Sequence, residues 1–229
     1  MSHFVLDVTH IGEEFVSQLC NTEPGKKTIK EIIKERFKED FELTSALPNR
    51  NIAVGGKCGD AKSQIDVALI GKSCCYAVEL KLGSAICTPG GYCQNYLNKP
   101  YSSGKKYFSG KIIPILSRMG MEDMVPKPEI CVFPDNDPAN QIPVNENWIL
   151  MVRNDVIVEK LKKSSFKNGF ANEKAWKNMK ETCVIISLQG FLHQLKENGV
   201  TDEKIEEMIK SCITPDGGAY IKNWGISSE

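Results

Sequence analysis

Two short apolar runs, QIDVALI at residues 64–70 and YAVELKL at residues 76–82, decide how this chain folds. Each has the length of a β-strand, and the Gly71-Lys72-Ser73 segment between them is typical of a tight hairpin turn. So short a connection makes the numbers of paired residues sum to an odd value between about 143 and 147. We therefore expect an antiparallel hairpin at the centre of the fold.

The predicted hairpin carries three charged residues in an otherwise apolar setting, Asp66, Glu79 and Lys81. Side chains alternate between the two faces of a strand, so Glu79 and Lys81 share one face. The expected register puts Asp66 opposite or diagonal to Glu79, within roughly 5–8 Å on that face. Burying two carboxylates and an ammonium is costly without a partner, and a divalent cation is the simplest partner for them. We therefore predict a metal site.

The composition is that of an ordinary globular protein of 229 residues, with 41% hydrophobic and 25% charged residues. Basic and acidic residues number 29 each, so a nucleic acid would have to meet a local basic surface. The nine cysteines form no CxxC pair, which favours reduced thiols in a cytoplasmic protein, or a nuclear one in a eukaryote. No run reaches transmembrane length or has the pattern of a signal peptide, so we expect no membrane association.

Helical and strand patterns follow one another along the chain. We predict helices at 9–20, 27–40, 92–97, 155–163, about 172–197 and 201–211. We predict strands at 41–47, where Pro48-Asn49 ends the pattern, and at 64–70, 76–82, 112–116, 129–133 and 148–152. This order predicts an α/β fold with a mixed central sheet flanked by helices. It divides into a core domain at 1–153 and a mainly helical continuation at 154–229 that packs on the core.

The segments SQIDV at 63–67 and AVELK at 77–81 resemble the signature of the PD-(D/E)XK nuclease superfamily. This superfamily includes restriction endonucleases, repair nucleases and Holliday-junction resolvases. The predicted order of helix, strand, hairpin, helix and strand over about residues 27–134 is similar to its restriction-endonuclease-like αβββαβ core. Ile65 stands where the signature has proline. The resemblance implies an endonuclease that hydrolyses phosphodiester bonds with the help of a metal ion.

The resemblance also implies roles for individual residues. Asp66, Glu79 and the backbone carbonyl of Leu80 would hold Mg²⁺, for which Mn²⁺ would substitute. Lys81 would orient the attacking water or neutralise the charge that develops on the phosphate. We therefore expect Asp66, Glu79 and Lys81 to be the catalytic residues of the hairpin.

Many members of the superfamily add a glutamate from a helix as a further catalytic residue and metal ligand. Glu31 is our first choice for this ligand, because it lies in the helix that leads into the first predicted strand. Glu35 is the second choice and Glu14 the third. For any single one of these glutamates, a solvent-exposed position beside a lysine is the competing interpretation.

Four further residues are predicted to bind the substrate. Gln64 lies in the signature segment, and Gln94, on the helix after the hairpin, matches a glutamine found in several branches of the superfamily. Lys105 and Lys106 lie where lysines and aromatic residues mix among glycines and serines, a composition suited to a phosphate-backbone loop and equally to an ordinary surface loop. The expected partner is nucleic acid, double-stranded DNA rather than RNA, with a homodimer as the form that cuts both strands.

The sequence also admits three other interpretations. Glu79 and Lys81 could form a simple salt bridge on an edge strand, with Asp66 serving a turn. The chain could be a catalytically silent nuclease-fold module that binds nucleic acid or a protein partner. Nucleophilic chemistry through cysteine and His193 is disfavoured, because no cysteine has an activating context.

Overall fold

The computed structural model describes residues 9–54, 64–82, 130–135, 140–163 and 183–212 of the chain. In these ranges the protein is a mixed α/β fold, in which a curled mixed sheet is flanked by helices. The helices are α1 (Thr9–Asn21), α2 (Glu23–Phe37), α3 (Asp155–Lys163), α4 (Leu188–Glu197) and α5 (Asp202–Cys212). The strands are β1 (Ser45–Val54), β2 (Gln64–Ile70), β3 (Cys75–Lys81), β4 (Ile130–Val132), β5 (Ile142–Val152) and β6 (Cys183–Ser187).

The six strands lie in the order β3-β2-β1-β4-β5-β6, and β3 also pairs with β5. β1, β2 and β3 form an antiparallel meander, whereas β3, β5 and β6 run parallel to one another. The two long strands, β1 and β5, each change neighbours along their length, and the short β4 joins the end of β1 to the start of β5. This sharing of strands curls the sheet.

Two apolar clusters cover the two faces of the sheet. On one face, called the α1 side, strand residues such as Val67, Val78 and Ile149 pack against α1, α2, α4 and α5. On the other face, called the α3 side, residues such as Ala77 and Leu150 pack with Ile157 of α3. Because β3 lies between β2 and β5 and is covered on both faces, any charge along it must be locally compensated.

The hairpin prediction is confirmed. β2 and β3 pair in register from Val67 with Val78 to Ile70 with Cys75, and each pair of residue numbers sums to 145. The turn closes with a hydrogen bond from the N–H of Gly71 to the carbonyl of Cys74, 2.9 Å long. The observed sum lies within the range of 143 to 147 that the short connection predicted.

Several helix predictions are also confirmed. Helix α3 has the predicted bounds, and α5 is capped by Thr201, whose hydroxyl accepts a hydrogen bond from the N–H of Lys204. Helix α2 begins earlier than predicted, because Thr22 caps it by accepting a hydrogen bond from the N–H of Gly25 at 2.9 Å. It ends at Phe37 rather than at the predicted residue 40, because the cap residue Lys38 has a left-handed φ of 61°.

The predicted bounds of the first strand are wrong. β1 runs over Ser45–Val54, and Pro48 lies inside it rather than ending it. β4 pairs only with the last three residues of β1, so among the described residues Pro48 has a neighbouring strand, β2, on one side only. A proline is tolerated at such an edge because its missing N–H need not cost a ladder hydrogen bond.

The prediction of one helix over about 172–197 is also wrong. Residues Cys183–Ser187 form β6, which pairs parallel with β5, and α4 begins only at Leu188. The β-branched run at Val184, Ile185 and Ile186 suits a strand, and the vacant edge of β5 decides the outcome. The part of the chain after residue 153 thus adds a strand to the same sheet as well as helices.

Three strands and one helix were predicted between residues 92 and 152. The strands predicted at 129–133 and 148–152 correspond to β4 and to the second half of β5. The helix predicted at 92–97 and the strand predicted at 112–116 lie outside the described residues. Within the described ranges, no helix is both long and apolar enough to cross a membrane.

The exposed edge of β1 is covered by a side chain from α1. Asn21 donates from Nδ2 to the carbonyl of Ala46 at 2.8 Å, and its Oδ1 accepts from the N–H of the same residue at 2.7 Å. The amide therefore pairs with Ala46 as a neighbouring strand would, which blunts the edge and ties α1 to the sheet.

Replacing Asn21 with alanine removes both of these bonds. The N–H and the carbonyl of Ala46 then have only water as a replacement partner. We expect the Asn21→Ala variant to lose about 1–2 kcal/mol of unfolding free energy in urea titrations. Asn198→Ala, which removes a single exposed bond to Gln194, serves as the control and is expected to change stability by less than about 0.5 kcal/mol. Equal losses in the two variants would contradict the role given to Asn21.

Candidate active site

The two strands of the central hairpin separate at Asp66. Regular pairing between β2 and β3 ends at Val67 and Val78, although the register would next pair Asp66 with Glu79. Instead, the N–H of Leu80 donates to Oδ2 of Asp66 at 2.7 Å. A side-chain carboxylate thus takes the place that a backbone carbonyl would occupy in the ladder, and it is held in the gap between the strands.

Glu79 and Lys81 share one face of β3, as predicted. The Nζ atom of Lys81 donates to Oε1 of Glu79 and also to the carbonyl oxygen of Leu80, the latter at 3.1 Å. Glu79 is only 7% exposed, and Lys81 is half-buried. Leu80 therefore bonds Asp66 through its N–H and Lys81 through its carbonyl, so the three predicted charged residues form one hydrogen-bonded group.

A third carboxylate approaches this group from the helical layer. The first turn of α1 passes close to the end of β3, where a Cβ atom on Gly12 would lie 3.3 Å from Cδ1 of Leu82. The next residue, Glu13, is 4% exposed, and its charge is near enough to raise the pKa of Asp66. The group therefore consists of three carboxylates and one ammonium.

The pKa of Asp66 shows the consequence of this crowding. The pKa of this carboxyl is raised to about 7, mainly because the group is buried and secondly because the charge of Glu79 lies close to it. The N–H of Leu80 and the charge of Lys81 act in the opposite direction, and Glu13 makes a smaller contribution that raises the pKa. With all carboxyls ionised, negative charge would exceed positive charge at a largely buried position, an arrangement suited to a bound cation.

The structure does not bring Glu31, the first choice for the helix glutamate, to this group. Glu31 and Glu35 are exposed and line a shallow surface depression together with Lys34 and Lys38. The reason is helical periodicity, because Ile33 turns inward on α2 and the residues two positions away on either side then face solvent.

Glu14, the third choice, is half-buried on α1 and accepts a hydrogen bond from Gln18 at 3.3 Å. Its neighbour Glu13, which the sequence analysis did not consider, is the helix glutamate whose charge acts on Asp66. A signal was present, since Glu13 lies three and seven residues before Val16 and Cys20, both buried. An acid on the apolar face of an amphipathic helix needs a partner, and that requirement points to a site.

Of the four predicted substrate-binding residues, only Gln64 lies in the described part of the chain. Gln64 is the first residue of β2. Gln94, Lys105 and Lys106 lie outside the described residues, so their roles stay predictions.

Oxygen donors for a metal ion are present without forming a complete cluster. Among the described residues, no three histidine, cysteine, aspartate or glutamate side chains are grouped closely enough to hold a metal ion. Asp66, Glu79 and the carbonyl of Leu80 offer oxygen ligands, and Glu13 adds charge from nearby. Two carboxylates are what Mg²⁺ commonly takes from a protein, because the ion keeps several of its waters. The donor set therefore fits a hydrated Mg²⁺ or Mn²⁺.

Two of the competing interpretations can be compared with this geometry. β3 is flanked by β2 and β5, so the Glu79–Lys81 pair does not lie on an edge strand. His193 is on the exposed side of α4, 3.3 Å from Glu197, and burial raises the pKa of the Cys75 and Cys183 thiols. These thiols are poor nucleophiles.

Comparison with known proteins leaves the assignment to physical reasoning. No family model, no curated protein and no solved structure matches this chain.

The raised pKa of Asp66 predicts how stability changes with pH. The folded state holds the Asp66 proton to about pH 7, whereas an unfolded chain releases it near pH 4. The metal-free protein is therefore expected to lose stability as pH rises from about 4 to about 7, by up to about 4 kcal/mol from this residue, and to show no further loss from it above pH 7. Asp66→Asn, which can still accept from Leu80, should remove that part of the loss.

The measurement is urea unfolding of wild type and variant in EDTA between pH 5 and pH 8. Asp40→Asn, at an exposed residue that pairs with Lys30, is the matched control and should follow wild type. A stability difference between wild type and Asp66→Asn that does not change over this range would contradict the pKa assigned to Asp66.

Proposed function

We propose that this protein is a metal-dependent nuclease that hydrolyses phosphodiester bonds, with DNA as the substrate. The observation that carries the proposal is the hydrogen-bonded group of Asp66, Glu79 and Lys81 joined through the backbone of Leu80. Asp66 lies on β2, and Glu79 and Lys81 lie on the neighbouring β3, which is flanked by β2 and β5. Burial makes uncompensated charges costly at such a position. The sequence resemblance to PD-(D/E)XK nucleases supports the same chemistry, and a restriction-endonuclease-like core is part of the proposal.

The carboxylates of Asp66 and Glu79 and the carbonyl of Leu80 would hold Mg²⁺. When bound, the ion supplies a Lewis acid for the phosphate and a water of lowered pKa. The hydrogen bond from Leu80 to Asp66 fixes one carboxylate oxygen in the gap between the strands, so the donors are oriented before any ligand arrives. Preorganisation of this kind lowers the cost of ordering the site during reaction.

Lys81 has two tasks in this proposal. Its Nζ already bonds Glu79 and the carbonyl of Leu80, so the ammonium is held within reach of any group bound to the same oxygens. There it would donate a hydrogen bond to the attacking water or to a phosphate oxygen as negative charge develops. The pairing with Glu79 also keeps Lys81 from turning into solvent.

Glu13 takes the place that sequence reasoning offered to Glu31. Its burial beside Asp66 gives the site a third negative charge from a different element. That charge would strengthen attraction for a divalent cation, either directly or through a bound water.

Double-stranded DNA and a homodimer remain parts of the proposal. Cutting both strands of a duplex requires two sites, which a two-fold symmetric dimer provides. A catalytically silent module that binds nucleic acid or a protein partner is the alternative, and the absence of cleavage in the first experiment below would favour it.

The first test is cleavage of plasmid and oligonucleotide DNA by the purified protein with Mg²⁺ or Mn²⁺. We expect cleavage that EDTA abolishes and that Glu79→Ala or Lys81→Ala reduces at least about 100-fold. The matched controls are Glu42→Ala and Lys72→Ala, which remove an exposed ion pair of 2.9 Å near the opposite end of the hairpin. These controls should retain full activity.

If wild type cuts neither DNA nor RNA in either metal while it binds DNA, the silent-module alternative replaces the nuclease proposal. Equal activity of Glu79→Ala and Glu42→Ala would show that cleavage comes from a contaminant or from a different site.

The second test measures metal affinity directly. Glu13→Gln should weaken Mn²⁺ binding by about 10- to 100-fold in calorimetric titrations, because it removes a buried charge beside Asp66. Glu31→Gln, an exposed residue of α2, should bind Mn²⁺ as wild type does. The reverse result, weak binding by Glu31→Gln and normal binding by Glu13→Gln, would restore the sequence-based choice.

A further inference from the structure

Arg50, on β1, has an unusual environment for a partly buried arginine. Its Nε atom is buried and has no hydrogen-bond partner among the described residues. Buried guanidinium groups are normally paired, because leaving a donor of a charged group unbonded away from water is costly. The residue as a whole is half-buried, so part of it is accessible to solvent. The side chain is therefore placed where an anion from outside could complete its bonds.

The sheet register locates Arg50 relative to the candidate active site. Arg50 pairs with Ile65, the residue next to Asp66. Directly paired residues of antiparallel strands project from the same face, and Ile65 packs in the cluster on the α3 side. Glu79 and Lys81 alternate with Leu80 and share the face of Ala77, which is in that same cluster. Arg50 and the catalytic group therefore lie on one face of the sheet.

The separation follows from the strand order. β1 and β3 lie on either side of β2, so two strand spacings of about 4.8 Å place Arg50 roughly 10 Å from the Glu79–Lys81 pair. A nucleic-acid strand that rises about 3.4 Å per nucleotide covers this distance in about three nucleotides. A phosphate near the one being cut would thus come within reach of the arginine.

The backbone next to Arg50 is also unusual. Asn49 has a φ of 51°, a left-handed conformation inside a strand. By register it faces Asp66, since its neighbours Pro48 and Arg50 pair with Val67 and Ile65. Asparagine adopts this conformation more readily than most residues, but it remains uncommon in a strand. The irregularity in β1 is therefore level with the point where β2 and β3 separate.

We propose that Arg50 binds a phosphate of the nucleic-acid backbone within about three nucleotides of the scissile bond. The identity of this ligand rests on the proposed nuclease function. A guanidinium offers a planar fork of N–H donors that matches two phosphate oxygens, and phosphate binding would supply the partner that Nε lacks. Arg50 is in this view a binding residue that positions the substrate, outside the Asp66, Glu79 and Lys81 group that carries out the chemistry.

The test compares Arg50→Met with Arg36→Met, which removes the same charge from an exposed position on α2. Binding of a fluorescent DNA duplex is measured by anisotropy in Ca²⁺, used in place of Mg²⁺ to slow cleavage, over a range of salt concentrations. Arg50→Met should bind about tenfold more weakly and lower the slope of log affinity against log salt by about one. Arg50→Lys should recover the salt slope but only part of the affinity. In Mg²⁺, KM should rise while kcat changes little.

Thermal unfolding separates binding from a structural role. Because Nε has no partner in the free protein, Arg50→Met should be at least as stable as wild type. A less stable Arg50→Met variant with unchanged DNA affinity would assign Arg50 to the fold and overturn the proposal, as would equal affinities for Arg50→Met and Arg36→Met. Binding that depends on Arg50 without any cleavage would sustain the phosphate contact while the nuclease proposal fails. Cleavage that does not depend on Arg50 would sustain the nuclease proposal and overturn the phosphate contact.

Discussion

The structure depends on one hydrogen bond, from the N–H of Leu80 to the carboxylate of Asp66. This bond replaces a rung of the β2–β3 ladder, so the strands can separate without leaving a buried backbone donor unpaired. The same residue offers its carbonyl to Lys81, which in turn pairs with Glu79. Without the Asp66 carboxylate, the gap between the strands would have an unsatisfied N–H, and the charged residues would lose their common point of attachment.

Structural elements on both faces of the sheet surround the gap between β2 and β3. On the α1 side, the close contact between Gly12 and Leu82 lets the first turn of α1 deliver Glu13 beside Asp66. On the α3 side, parallel pairing of β3 with β5 buries the strand that carries Glu79 and Lys81. Burial raises the pKa of Asp66 and makes the extra negative charge costly.

At this end of the sheet, several groups lower the stability of the free protein. The raised pKa of Asp66 is expected to lower the stability of the metal-free protein above neutral pH, and the buried Nε of Arg50 has no hydrogen-bond partner among the described residues. Groups of this kind persist in functional sites because a ligand repays their cost. The rest of the framework shows the ordinary devices of a stable fold. Asn21 covers the edge of β1, and Glu39 accepts hydrogen bonds from Tyr76, Asn145 and Asn147.

The amino-acid sequence by itself determined the central hairpin, a narrow range of registers for it and the common face of Glu79 and Lys81, because turn length and alternation in a strand are local properties. It also indicated α3 and the Thr201 cap of α5. Only the tertiary structure decided the rest. Pairing with β5 turned Cys183–Ser187 into a strand, and Pro48 was admitted into β1 where no second neighbouring strand is present among the described residues. Helix packing buried Glu13 and left Glu31 exposed. These outcomes depend on contacts between segments that are distant in the sequence, and local sequence patterns do not determine such contacts.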